Sequence, residues 1–292
     1  MHQENVISQL LAWIEQSLDQ PLTLDSIAAK SGYSKWHLQR MFKQHTGEVL
    51  GTYARRRRLT AAARELRLTS ATVACIADKY QFDSQQTFTR GFKKQFGLPP
   101  AAYRRSLDWP SYGLQPPLNM ANEPMPEAEI IVLPSMKLVG HTHQGSCTLG
   151  QLGPSKKLLR QHAWRHLLHP EQGLPAVAYG LMSLKADTRQ RDRQQMVYTA
   201  ALPEEEAAGE TVTIEPGEYA RFAYQGQVAG LQNFIARLYD TAIPQMNAVR
   251  RPGQDIERFS PALGVCYGDD QAAISCEYLI PIRRGEEGSG LR

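Results

Sequence analysis

One segment of the chain occurs twice. "SIAAKSGYSKWHLQRMFKQHTGEVLGTYARR", Ser26 to Arg56, returns as "CIADKYQFDSQQTFTRGFKKQFGLPPAAYRR", Cys75 to Arg105. Ile27-Ala28 match Ile76-Ala77, Lys30 matches Lys79 and Tyr33 matches Phe82. After one inserted residue, Arg40 matches Arg90, Phe42-Lys43 matches Phe92-Lys93, Gly47 matches Gly97 and Tyr53 matches Tyr103. A period of about fifty residues is the mark of one supersecondary unit used twice. The fold of the first third must therefore accommodate two copies of one small motif.

Each copy predicts helix, tight turn, helix. In the first, Thr23 is placed to cap a helix that buries Ile27 and Ala28. Gly32 supplies a turn where left-handed backbone is cheap, and Ser34 caps the next helix. In the second, Gln81 stands in Gly32's place, and Asp83 or Ser84 caps a helix over Gln85–Gln95. At 3.6 residues per turn, Trp36, Gln39, Arg40 and Lys43 share one face, while Leu38, Met41, Phe42 and His45 lie opposite. A short helix, a tight turn and a second helix with an exposed polar face is the helix-turn-helix of DNA-binding proteins. Arg offers a bidentate match to guanine and Gln to adenine. Gln39 and Arg40 in the first copy, with Lys43 below them, are candidate DNA-binding residues. Gln85, Gln86, Thr89 and Arg90, with Lys93, are their candidates in the second. Trp36 can pack on a thymine methyl or a deoxyribose, or it can cover a neighbouring helix.

Between the copies, "EVLGTYARRRRLTAAARELRL" predicts a helix of about eighteen residues, roughly 27 Å long. Such a rod would hold two recognition helices near one DNA turn apart, about 34 Å. Val49, Leu50, Tyr53, Leu59, Ala62 and Leu66 would seat it on both units. Arg55–Arg58 cannot all face one way on a helix, so they read as a solvated face with one or two phosphate contacts.

Charge agrees with this division. Residues 1–109 carry 16 Lys and Arg against 9 Asp and Glu, a net of +7, and the remaining residues carry 17 against 20, a net of −3. A basic module joined to a mildly acidic one fits a polyanion-binding half and something else. The 292 residues allow two cores. No apolar run approaches the length of a membrane span and no signal peptide is expected. Cys75, Cys147, Cys266 and Cys276 lack C-x-x-C spacing and read as reduced thiols of a cytoplasmic protein.

The double unit with its long connecting helix resembles the DNA-binding domain of AraC/XylS-family transcription activators. "GYSKWHLQRMFK" and "FDSQQTFTRGFKKQFGLPPAAYRR" carry the resemblance. It implies that Trp36, Gln39 and Arg40 read one major-groove segment and Gln85, Gln86, Thr89 and Arg90 the next.

Residues 1–106 are thus expected to be the DNA-binding domain. A linker follows over 107–127, where "SLDWPSYGLQPPLNMANEPMPE" holds Pro110, Pro116, Pro117, Pro124 and Pro126 and little periodicity. Residues 128–284 form the second domain, and 285–292 a flexible tail. Alternation predicts strands at Ile130–Leu133, Lys137–His143, Val177–Leu184, Gln195–Ala201, Glu218–Gln225, Ile256–Pro261 and Ile274–Arg283. Helices fit Leu152–His169 and Val228–Met246. Each helix follows an extended stretch and precedes a strand pair, which suggests duplicated β-α-β-β units. The fold class is therefore α plus α+β, an all-α double helix-turn-helix domain followed by a mixed α+β domain. This second half resembles the gyrase-inhibitor-like domains, which hold small hydrophobic effectors in a groove between two halves.

Motifs for catalysis and metal binding are weak. His162, His166 and His169 align on a helix without an H-E-x-x-H, and His141 and His143 share one side of a strand; both groups read as polar surface. No G-x-S-x-G or phosphate-binding loop occurs. The resemblance places a glutamate on the last strand, where Glu277 is the positional match, with Trp164, Tyr179, Tyr198, Phe222, Tyr224 and Phe259 as ring donors. An acid among aromatic walls suits a cationic or amphipathic molecule. The alternative is a solvent-facing Glu277 beside ordinary core aromatics.

The expected function is a monomeric, sequence-specific transcription activator of a stress response. Its partners are double-stranded DNA, RNA polymerase and a small hydrophobic or amphipathic effector, with no cofactor, metal or membrane. The competing readings are an origin-binding or architectural protein, and a small-molecule hydrolase, since some gyrase-inhibitor-like proteins hydrolyse substrates with a Tyr and a Glu.

Overall fold

Side-chain caps start the matching helices of both copies. A computed structural model describes residues 2–109, 111–118, 124, 126–167, 175–204, 209–246, 248–260 and 270–284. Pro110, His169, Pro261, Cys266 and the tail 285–292 lie outside the described residues. After α1 (His2–Gln16), the Thr23 hydroxyl accepts from the Ser26 N–H at 3.1 Å and opens α2 (Leu24–Ser31). Ser34 caps α3 (Lys35–Thr46) by accepting from the His37 N–H. Thr72 and Ser84 do the same for α5 (Val73–Lys79) and α6 (Gln85–Phe96), so Ser84 takes the role left open between it and Asp83. Gly47 and Gly97 end α3 and α6 in the left-handed region, both at φ 74°. A short α7 (Pro100–Arg105) closes the second copy.

The matched aromatics pack alike in both copies. Phe42 meets Tyr53 with centroids 5.8 Å apart, and Phe92 meets Tyr103 at 5.3 Å. All four rings are fully buried, each contributing about 1.5–3 kcal/mol through apolar burial. The long helix is α4 (Leu50–Leu68), whose 19 residues span about 28 Å. Leu50, Tyr53, Leu59, Ala62 and Leu66 are buried as expected, whereas Val49 precedes the helix and is exposed.

The described residues form two compact units, one within Met1–Arg67, Ala71–Ser106 and Tyr112–Pro124, and another within Leu68–Ser70, Leu107–Ser111 and Met125–Arg292. Part of the proline-rich stretch read as a linker is held against α4. The Gln115 N–H donates to Thr60 Oγ1 at 3.0 Å, the Leu118 N–H donates to the Tyr53 hydroxyl at 3.2 Å, and Arg57 donates to the Gln115 carbonyl.

Among the described residues, the second unit is a nine-stranded antiparallel sheet with two long helices packed against it. Its strands are β1 (Glu129–Leu133), β2 (Met136–Thr148), β3 (Ala178–Ala186), β4 (Arg193–Pro203), β5 (Glu210–Ile214), β6 (Gly217–Gln227), β7 (Ala248–Arg250), β8 (Asp255–Phe259) and β9 (Ala273–Arg284). The duplicated unit appears as β2-α8-β3-β4 and β6-α9-β8-β9, with α8 Leu152–Leu167 and α9 Val228–Arg237. In each, the strand before the helix pairs with the last strand, and the β3–β8 ladder joins the halves. The short strands ahead of the units are exchanged: β1 precedes β2 but pairs with β6, and β5 precedes β6 but pairs with β2. The helix expected as far as Met246 widens into a π turn at Leu238–Ala242 before a last turn at Ile243–Gln245. Pro244 has no N–H to close an α-helical bond back to residue 240.

Gln81 keeps the backbone that Gly32 has in the first copy, at φ 60° against 73°. A side chain there costs about 1–2 kcal/mol, partly offset by glycine's greater freedom when unfolded. Gln81→Gly should therefore stabilise the N-terminal unit by about 0.5–1 kcal/mol, read by urea unfolding followed through helical circular dichroism. A loss would mean that the Gln81 amide bond to the Asp19 carbonyl, at 3.4 Å, outweighs the strain.

Candidate nucleic-acid interface and effector site

The two recognition helices present the faces that their periodicity demands. In α3, Leu38, Met41 and Phe42 are buried, and Gln39, Arg40 and Lys43 are exposed on the other side. Trp36 is 68% exposed, so it covers no neighbouring helix. The Arg40 guanidinium lies 5.6 Å from the centre of the Trp36 ring, a cation–π contact that restrains both before any ligand arrives. In α6, Phe88, Phe92 and Phe96 anchor the helix, Gln85, Gln86, Arg90 and Lys93 are exposed, and Thr89 is half-buried. The two helices thus offer amide and guanidinium donors from rigid supports, in the form that suits base edges in a groove.

The run Arg55–Arg58 divides by helical position. Arg55 and Arg56 are exposed, and Arg55 lies over the Phe82 ring at 6.0 Å. Arg57 is buried instead: it pairs with Glu15 at 2.7 Å, and Tyr53 donates to the same carboxylate at 2.7 Å. Burial, then the Glu15 charge, pushes the Tyr53 phenol well above its ordinary pKa, so it stays a donor. Arg58 donates to the backbone carbonyls of Leu18 and Gln20. Of this run, only Arg55 and Arg56 are exposed.

The residues expected to form one effector site fall on two faces of the sheet. Trp164, Phe222 and Phe259 belong to the core beneath the helices, and Tyr224 packs against it. Tyr179 belongs to the cluster on the other face, with Leu279. Glu277 alternates with Cys276 and Tyr278 and so also points away from the helices. There it is paired with Arg258 at 2.9 Å and Arg221 at 3.2 Å. Glu277 cannot be the acid among the helix-side aromatics.

That place is held by Glu257 on β8. Arg160 of α8 donates to both its oxygens, Tyr198 donates to Oε2 at 2.9 Å, and the Trp164 indole donates to the Tyr198 hydroxyl at 2.9 Å. Two residues earlier, Asp255 accepts from Tyr278 at 2.8 Å, from Arg250 at 2.9 Å and from Tyr239. Lys156, one turn before Arg160, is buried beside these groups. Burial pushes its ammonium down from the ordinary value against the pull of Asp255 and Glu257. Burial and the Glu257 charge push Tyr198 well up, keeping it a neutral donor. The signal for this site was a match of periods, with cations at i and i+4 on a helix and acids at i and i+2 on a strand.

His143 meets His162 edge to face at 4.8 Å, and His141 is exposed. Among the described residues no group of three His, Cys, Asp or Glu is placed to hold a metal ion. None of the described helices is long and apolar enough to cross a membrane.

Comparison with known proteins agrees with both halves. A model described as a helix-turn-helix domain matches residues 27–106, and one described as a GyrI-like small molecule binding domain matches 126–283. The chain is 46% identical over 289 residues to the transcriptional regulator Rob of Salmonella typhimurium, covering 97% of this chain and 100% of that protein. Identity and coverage are the same for the right origin-binding protein of Escherichia coli K12. The multiple antibiotic resistance protein MarA of Salmonella typhimurium is 49% identical over 98 residues, 34% of this chain and 77% of MarA. Among solved structures, the C-terminal domain of AraT, a response regulator from Geobacillus stearothermophilus, is 32% identical over 34% of this chain and 84% of that one, with a TM-score of 0.33.

The Arg160–Glu257 pair gives a test of the buried network. Arg160→Met leaves a carboxylate without its cation in the core and should cost about 3–5 kcal/mol. Replacing both residues with Met should cost markedly less than the single change, because no charge is then left unpaired. Equal losses in thermal unfolding would mean that shape, not charge, carries the contact.

Proposed function

The chain belongs to the AraC/XylS family of transcriptional regulators, in the Rob-like group with a C-terminal GyrI-like domain, and we propose that it is a DNA-binding transcription activator acting as a monomer. The observation that carries this reading is the pair of exposed recognition faces, on α3 and α6, joined by the single rod of α4. One chain holds both readers, so its site is asymmetric and spans about two DNA turns, without a palindrome. Trp36, Gln39 and Arg40, with Lys43, read the first major-groove segment. Gln85, Gln86, Thr89 and Arg90, with Lys93, meet the second with a grip directed partly at the backbone. The protein works in the cytoplasm beside RNA polymerase and takes part in a stress response. Its C-terminal domain receives a small hydrophobic or amphipathic effector among Trp164, Phe222, Tyr224 and Phe259, with Glu257 as the buried acid. The name of the Escherichia coli relative favours origin binding as a second reading. Run-off transcription with and without the protein separates the two.

Duplexes selected for binding supply the tests. Sedimentation of the complex should give one chain per minimal site, and two would remove the monomer reading. Arg40→Ala should cost about 1–3 kcal/mol and relax preference at one or two base pairs without unfolding the domain. Arg55→Ala should weaken all sequences alike and lower the salt slope by at most about one. Arg57→Ala should instead lower stability, since it strips Glu15 of its buried partner. For the effector, hydrophobic and amphipathic compounds should raise the melting temperature of the C-terminal domain by binding its folded state. Glu257→Gln should alter that shift and Glu277→Gln should not; the reverse outcome would return the site to the other sheet face.

A further inference from the structure

A cleft opens between the two helix-turn-helix units, under the first turns of α4. Its volume is about 260 Å³, just below the usual range of drug-sized ligand pockets and enough for a small molecule only. The floor is apolar, formed by Leu22, Ile27, Leu50 and Phe82. Its rim carries two guanidinium groups, Arg55 and Arg58, with Asp83 also at the border. Neither arginine pairs with a carboxylate among the described residues. Arg58 spends its contacts on the neutral carbonyls of Leu18 and Gln20, and Arg55 on the Phe82 ring. Two cations against one acid leave the rim net positive. A half-buried guanidinium without a counter-charge is a costly arrangement that an anion relieves. Burial also pushes the Arg58 guanidinium down from its ordinary value, in keeping with lost hydration.

We propose that this cleft binds a small amphipathic carboxylate, its hydrocarbon on the Leu22, Ile27, Leu50 and Phe82 floor and its charge between Arg55 and Arg58. An inorganic anion would leave the floor empty, and a cation would meet the wrong charge. The cleft belongs to the DNA-binding unit and is separate from the effector site of the GyrI-like domain. Gln39 and Thr87 border it, so the bound molecule stands beside side chains of both recognition helices.

The test uses the full-length protein with labelled Leu and Ile methyl groups and octanoate as the probe. Octanoate should shift the Leu22, Ile27 and Leu50 methyl signals saturably, and octylammonium should not. Arg58→Gln should weaken octanoate by about tenfold, the loss of one charge-assisted hydrogen bond, while leaving octanol unaffected. Arg58 also ties down two carbonyls, so a second variant guards against misfolding. Gly51 lines the cleft, and a Cβ added there meets nothing within 4 Å. Gly51→Leu should keep the fold, fill the cleft and abolish the three shifts. Unshifted methyl signals, equal shifts with octylammonium, or unchanged shifts in Gly51→Leu would each overturn the proposal. Octanoate binding that leaves these three residues untouched would place it in the effector domain instead.

Discussion

The N-terminal unit depends on how α4 is tied at its two ends. Toward its start, Arg57 is buried against Glu15 of α1, with Tyr53 sharing the carboxylate. Toward its end the polarity reverses. There α4 supplies the acid, and Glu65 accepts from Lys79 at 2.8 Å and from Tyr80 at 2.9 Å. Breaking either pair leaves a charge in the core, an outcome that costs far more than the net worth of the pair. These contacts therefore act mainly as register marks. They fix which face of α4 meets each helix-turn-helix, and with it the relative orientation of the two recognition faces.

Several features of this half were legible because sterics leave few choices. Ser34 and Ser84 cap, Gly47 and Gly97 turn left-handed, and the matched Phe and Tyr residues meet in both copies. The arginine run was harder. Helical periodicity shows that four consecutive residues diverge, but it cannot say that Glu15, far away in sequence, waits for Arg57. In the second half the duplicated units were readable from the order of elements alone. The strands β5 and β7 were not, being only five and three residues long. β2 ran on to Thr148 through glycine and polar residues that carry little strand signal.

The misplacement of the acid has a clear physical cause. Alternation assigns residues of a strand to two sets without saying which set lies under the helices. Glu277 and Glu257 both sit in mixed polar and apolar strands. What separates them is the cation each finds: a buried arginine on α8 for Glu257, and two arginines on neighbouring strands for Glu277. Lys156, Arg160 and Arg250 set against Asp255 and Glu257 give the helix-side core a charged lining. The GyrI-like domain thus holds its aromatic residues around Asp255 and Glu257, which Arg160, Arg250, Tyr198, Tyr239 and Tyr278 hydrogen-bond.

The exchange of β1 and β5 has a consequence for biosynthesis. Glu129 of β1 bonds to Arg221 of β6, a partner 92 residues later in the chain. At roughly 5–20 residues per second, the ribosome delivers that partner some 5–20 s after β1 emerges. For that interval β1 is an unpaired edge bearing Ile130, Ile131 and Val132, while β2, β3 and β4 already have one another. The first half can then gather only provisionally, since its closure waits for β5, whereas the second half finds β1 already made. Translation speed between residues 134 and 221 therefore sets how long a sticky strand is open to the wrong neighbour.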